Sequence, residues 1–157
     1  MSTDVFVWIS NSPLADWVVG SPFIWPTLES IHFVSLCVLM GSLLIIDLRL
    51  IGFFREPCAT MVNSLIRLSL LAFAVNLATG VLFFFGYTAK YVGNPAFEIK
   101  LLLILAAGLN ALFFKWRLGH LVATEAVSRS SIVVGSLSLL LWSGVIVCGR
   151  MITFYAR

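Results

Sequence analysis

A glutamate, a histidine and an aspartate stand in the first long apolar run of this sequence: Glu29, His32 and Asp47. An imidazole can ligate a metal or move a proton near neutral pH, and a carboxylate can pass that proton on or orient the ring. On a helix, Glu29 and Asp47 fall about five turns apart on one side, and His32 lies within about 60° of both. Met40 joins the same stripe and adds a thioether, a known haem ligand. Ile31, Phe33, Val34 and Leu36 around the ring offer it no hydrogen bond. Glu29, one turn back, is therefore the group expected to accept its N–H. The plainer alternative is that Glu29 and Asp47 only mark the ends of the span and pair with cations, Asp47 with Arg49.

Two cations complete the constellation. Lys100 lies about 7 Å beyond Pro95, and Arg150 at a similar depth from the end of the last apolar run. If successive helices alternate in direction, Glu29, His32, Lys100 and Arg150 share one layer, in the outer third of a membrane. The cations suit a haem propionate, a quinone oxygen or a lipid phosphate. The alternative is a salt-bridge network whose cations snorkel to the headgroups. His120 follows the third run on the opposite side, so it cannot share a porphyrin with His32 in one chain; it reads as a solvated interface residue. A haem on His32 would need Met40, Lys100, a neighbouring subunit's group, or no second ligand.

The elements that position these residues are membrane helices. The chain is 61% hydrophobic and 11% charged, whereas a water-soluble domain carries about a quarter charged residues. Four runs, at 26–46, 64–86, 96–114 and 131–155, approach the roughly 20 residues that cross the hydrocarbon core. Arg55-Glu56-Pro57, Gly93-Asn94-Pro95 and a polar stretch at 124–130 separate them. The runs are continuously apolar rather than alternating, which argues against barrel strands. The expectation is an all-α integral membrane four-helix bundle, a single transmembrane domain over 1–157. Residues 1–25 hold Trp8, Trp17 and Trp25, and Ser12-Pro13 can start a short helix, so this segment is expected along the interface. Its acidic residues Asp4 and Asp16 predict no cleavable signal peptide.

Arg49, Arg55, Arg67, Lys115, Arg117 and Arg129 fall on one side; Lys90, Lys100, Arg150 and Arg157 fall on the other. This bias places both termini outside, in the periplasm of a bacterial inner membrane. The net charge of +3 is scattered and forms no basic face for nucleic acid. Cys37, Cys58 and Cys148 form no CxxC pair and indicate neither a disulfide framework nor a zinc site. P-loop, GxGxxG, HExxH and GxSxG patterns do not occur, so nucleotide use and hydrolysis lack support. Asn76 and Asn110 are expected to hydrogen-bond across helices, and Ser136, Ser143 and Arg150, seven residues apart, predict a close-packing seam.

Trp25-Pro26-Thr27-Leu28-Glu29-Ser30-Ile31-His32, with Gly41 and Asp47-Leu48-Arg49-Leu50-Ile51-Gly52, resembles the first helix of an uncharacterised family of small bacterial inner-membrane proteins. Asn94-Pro95-Ala96-Phe97-Glu98-Ile99-Lys100, Gly108-Leu109-Asn110-Ala111 and Gly149-Arg150 resemble the same family. The likeness covers nearly the whole chain and implies the four-helix fold. A looser resemblance is to copper-resistance D-type membrane proteins and to the membrane protoporphyrinogen oxidase of the haem-binding J type. Those share a first-helix His and a third-helix Trp-x-His-x-Lys-Leu. His32 and Lys100 match, while Glu98 stands in place of the second His.

Two active functions are expected from these residues, with a structural accessory subunit as the inert alternative. One is a redox module that binds a b-type haem (His32 on the iron) or a quinone through His32, Glu29, Lys100, Arg150 and Met40. The other is small-solute or proton transport, with Glu29, His32 and Asp47 as a titratable path. Expected partners are the lipid bilayer, further copies of the chain or a membrane redox partner.

Overall fold

Proline, asparagine, serine and glycine punctuate the apolar runs, and in the computed structural model those residues stand at helix ends. It describes residues 2–53, 58–118 and 127–155. Arg55, His120, Arg157, the turn at 55–57 and residues 124–126 lie outside the described residues, as does the side chain of Asp4. Seven α-helices form, and there is no strand among the described residues.

Two short helices, α1 (Ser2–Ser10) and α2 (Pro13–Val19), come first. Pro13 opens α2, and Ser12 Oγ accepts the Ala15 N–H at 3.2 Å, the start that this residue pair favours. α3 (Ile24–Ile51) ends at Gly52, whose φ of 89° is open to glycine at no steric cost. There the Gly52 and Phe53 N–H groups close back on the Arg49 and Leu48 carbonyls. α4 (Ala59–Gly86) and the single turn α5 (Thr88–Tyr91) lead to Asn94. Asn94 Oδ1 accepts the Ala96 and Phe97 N–H groups and caps α6 (Pro95–Phe113), which widens into a π turn at Phe114–Leu118. α7 (Arg129–Tyr155) opens on a reciprocal cap: the Ser131 N–H donates to Ser128 Oγ at 3.0 Å, and the Ser128 N–H to Ser131 Oγ at 2.9 Å.

α3, α4, α6 with its π turn, and α7 supply four helices long and apolar enough to cross a membrane, of 28, 27, 23 and 27 residues. At about 1.5 Å per residue even the shortest exceeds the roughly 30 Å hydrocarbon core. α3 runs past the expected 26–46 because Asp47 and Arg49 end the apolar pattern without ending the helix. Gly52 ends α3 instead. α4 starts at Ala59, ahead of the expected 64, and ends at Gly86 as expected.

α3 packs along α4, and α6 packs along α7; contact between α3 and α7 joins the two pairs. α2 lies on α4 and touches α3, while α1 reaches α5 and α4, so the N-terminal helices cover one end of the bundle. Val18 is fully buried there, so close to α4 that a Cβ added at Gly86 would lie 2.8 Å from it.

The helix seams follow a seven-residue rhythm of small side chains. α3 buries Leu28, Ser35, Leu39, Ser42, Ile46 and Arg49, and α4 buries Val62, Ser69, Ala72 and Thr79. Small residues matter in lipid, where close backbone approach and interhelical hydrogen bonds replace the hydrophobic drive. On α7 the buried repeat is Ser131, Ser138, Val145 and Ile152, with Gly135 beside it. This corrects the seam expected at Ser136, Ser143 and Arg150: Ser143 and Arg150 are exposed, on the far side of the helix. The spacing was right and the phase wrong, because the smallest residue, Gly135, sets the face of closest approach. A Cβ there would lie 2.9 Å from the Asp47 carbonyl oxygen and 3.2 Å from Leu50 Cβ. Asn110 bridges α6 to α7, its Nδ2 donating to the Val134 carbonyl at 3.1 Å.

Candidate functional site

His32 lies on the α3 seam and faces α4, half-buried, toward the end of the bundle that carries α1 and α2. Its Nδ1 is 2.7 Å from Thr79 Oγ1. The Thr79 hydroxyl has one hydrogen, and the Val75 carbonyl of its own helix receives it at 2.8 Å. With that hydrogen on the Val75 carbonyl, the donor in the His32–Thr79 pair is Nδ1–H and Nε2 is the nitrogen with the lone pair. One turn further along, Asn76 Nδ2 donates to Ser35 Oγ at 2.6 Å and to the His32 carbonyl at 3.4 Å. Gly80 admits the ring edge: a Cβ there would sit 4.0 Å from His32 Cε1. The Phe83 ring lies 5.2 Å from the imidazole, and Trp25 packs on Phe83 at 5.0 Å and on Tyr87 at 4.8 Å.

The orienting role expected of Glu29 thus belongs to Thr79. A hydroxyl on the facing helix reaches the ring sideways, whereas Glu29 is exposed on the surface of α3. Thr79, Asn76 and Phe83 lie at helical spacing on one face of α4 with Gly80 among them. That pattern was the available signal, and a threonine in an apolar run reads too easily as filler.

Lys100 reaches the same region from α6. Its half-buried side chain crosses to α7, where a Cβ added to Gly149 would lie 3.6 Å from Nζ. The Lys100 charge acts on His32. α3 and α4 thus meet at the imidazole, and the Lys100 side chain of α6 lies against Gly149 of α7.

The other expected site residues stand apart from this pair. Glu29 is exposed, and its charge acts on Tyr91 of α5; burial first, and then Glu29, push that phenol above its ordinary value of 10.0. Arg150 is exposed on α7. Met40 is half-buried about 12 Å down α3 from His32, too far to share an iron with it. Asp47 lies about 22 Å along the helix from His32. It is buried at 3% exposure between α3 and α7, where Ser138 hydrogen-bonds its carboxyl and Oδ2 has no partner among the described residues. Between His32 and Asp47 the seam buries Ser35 and Ser42 alternating with Leu39 and Ile46. Among the described residues no three His, Cys, Asp or Glu side chains come together for a bare metal ion.

Residues 4–155 match the model of a family described as a family of unknown function, DUF6644. No curated protein and no solved structure matches. With almost its whole length matched, the chain belongs to the DUF6644 family.

Proposed function

We propose that the protein is a membrane-embedded redox module that holds a flat conjugated carrier, a b-type haem or a quinone, against His32. The observation that carries this reading is the anchored ring. Nδ1 is held by Thr79 at 2.7 Å, and in the tautomer where it donates, the lone pair of Nε2 is left for a ligand. A histidine that ligates a metal almost always donates its other N–H to a fixed acceptor, which sets tautomer and ring orientation. When bound, the carrier supplies the electron transfer. His32 supplies a lone pair to an iron or to a quinol hydroxyl, and Lys100 supplies the cation for a propionate or a quinone oxygen. Phe83 and Trp25 offer flat apolar walls beside the ring. Glu29 and Arg150 are exposed and Met40 lies too far along α3 to share an iron with His32, so a haem here would be held by His32 and Lys100.

The setting follows from the same residues. The bias of basic residues puts α1, α2 and the His32 layer in the outer half of a bacterial inner membrane, with both termini in the periplasm. α6 is the least buried span and exposes Leu102, Leu105 and Leu109, a face for lipid or a second copy.

The absorption spectrum of detergent-purified protein, followed by organic extraction, tests the reading. A Soret band identifies haem, and an extracted quinone near one per chain identifies the alternative carrier. Protein that is colourless, quinone-free and unable to bind either added carrier overturns the redox assignment.

Proton transport is the second reading, and Asp47 Oδ2, buried without a partner among the described residues, is what favours it. Proton uptake by proteoliposomes that disappears in Asp47→Asn would carry it. Uptake unchanged by that substitution would end it.

A further inference from the structure

At the end of the bundle opposite α1 and α2, an open cavity of about 290 Å³ beside α6 and α7 is lined by Phe113, Val133, Val134, Arg129 and Ser130. The Asn110 bond to the Val134 carbonyl fixes how the two helices run past each other. Following α6 toward its π turn from that bond, and α7 toward its first turn, brings Lys115 and Arg117 to the level of Arg129. The π turn and α7 are in contact there. Lys115, Arg117 and Arg129 are all exposed, and none of them makes an ion pair among the described residues. Trp116, between two of them, is 75% exposed. Tryptophan favours the depth of lipid headgroups. The cavity thus has an apolar wall, formed by Phe113 and two valines, and one lining cation, Arg129, with Lys115 and Arg117 exposed at the same end of the bundle.

We propose that this groove is a binding site for an anionic phospholipid, with an acyl chain against Phe113, Val133 and Val134 and the phosphate against Arg129, Lys115 and Arg117. Charge complementarity names the occupant. A zwitterionic lipid brings its own cation to the rim and gains little, whereas an anionic headgroup meets the Arg129 guanidinium with two further exposed cations close to the same level. Basic pockets between transmembrane helices are suited to such headgroups, and guanidinium groups pair with phosphate through two parallel hydrogen bonds. An apolar wall serves an acyl chain and does nothing for a free phosphate ion. This site is about one bundle length from His32 and does not depend on the redox reading.

The test is thermal unfolding of the detergent-purified full chain with added phosphatidylglycerol, phosphatidylcholine or inorganic phosphate, backed by native mass spectrometry. Phosphatidylglycerol should stabilise the protein and remain bound at about tenfold lower concentration than phosphatidylcholine, with inorganic phosphate inert. Lys115→Gln with Arg117→Gln, both surface changes, should remove that preference while the basal melting temperature holds. Val133→Trp, which fills the groove, should lower binding of both lipids. Equal stabilisation by the two lipids, full stabilisation by inorganic phosphate alone, or a phosphatidylglycerol preference that survives the double substitution would each overturn the proposal.

Discussion

α3 carries two polar centres built in opposite ways. At His32, side chains of two helices satisfy one another: Nδ1 with Thr79, Ser35 with Asn76. The ring itself stays half-buried with its second nitrogen uncommitted. At Asp47 the helices come so close beside Gly135 that the carboxyl is sealed at 3% exposure and one oxygen is left without a partner among the described residues. Access, rather than charge, separates the two. A ring anchored at one nitrogen and open at the other suits an exchangeable ligand. A carboxyl closed in by a backbone crossing admits nothing much larger than a proton.

The largest effect should come from removing the ring. His32→Ala is expected to abolish the Soret band, or the retained quinone, in protein that still inserts and folds. Asp47→Asn, nearly isosteric at the other centre, should leave both signals intact. If Asp47→Asn erases the signal and His32→Ala only lowers the melting temperature, the two centres have been assigned the wrong way round.

Next in size is a stability effect confined to the Asp47 crossing. Gly135→Leu pushes a side chain into the Asp47 carbonyl, 2.9 Å from where Cβ would sit, and against Leu50. A backbone atom cannot swing aside as a side chain can, so α3 and α7 must part. Overpacking of this kind costs about 1–3 kcal/mol, read as a lower melting temperature in detergent. At Gly41, where an added Cβ meets nothing within 4 Å, the same substitution should change stability far less. Equal losses at both positions would show that the crossing is not the constraint.

The contrast also explains what the sequence made legible. Long apolar runs and their Pro, Asn and Gly punctuation foretell the four long helices, because in lipid each span must satisfy its own backbone. His32 and Lys100 stand out as ionisable groups at matching depth, and the Lys100 charge acts on His32. Thr79 did not stand out, since its value lies in facing His32 across a seam whose register no single helix encodes. Arg150 and Glu29 have the right depth and the wrong azimuth. Depth follows from counting residues, whereas azimuth depends on which neighbour each helix chooses. The shifted α7 seam has the same origin.

Thr79→Val sharpens the comparison more finely. Valine keeps the shape of threonine and removes the acceptor for Nδ1–H, so the ring stays in place but loses its fixed tautomer. Loss of such an orienting partner typically costs about 10–100-fold in ligand affinity. Stability should fall by only about 0.6 kcal/mol, the average for an interhelical hydrogen bond in a membrane. A carrier titration and a melting curve on the same preparation separate the two. Affinity lost with stability nearly kept marks an orienting residue. Stability lost with affinity kept marks mere packing.

The smallest effect should appear where Glu29 meets Tyr91. Burial, and then the Glu29 carboxylate, hold the Tyr91 phenol above its ordinary value of 10.0. A tyrosine ionises to an anion, so Glu29→Gln removes a like charge and should let Tyr91 ionise at lower pH. Burial is the larger cause, so the phenol should still titrate above the ordinary value in that variant. The linkage has a definite sign. Below pH 10 the group is protonated in both folded and unfolded chains and contributes no pH dependence. As pH rises past 10 the unfolded chain loses its proton first, and the folded state loses stability until Tyr91 ionises too. Ultraviolet titration of tyrosinate, with Tyr91→Phe as the reference that removes the late step, reads both points. A late step that Glu29→Gln leaves unmoved would mean Glu29 turns away from Tyr91, and its exposure on α3 would then be all there is to its role.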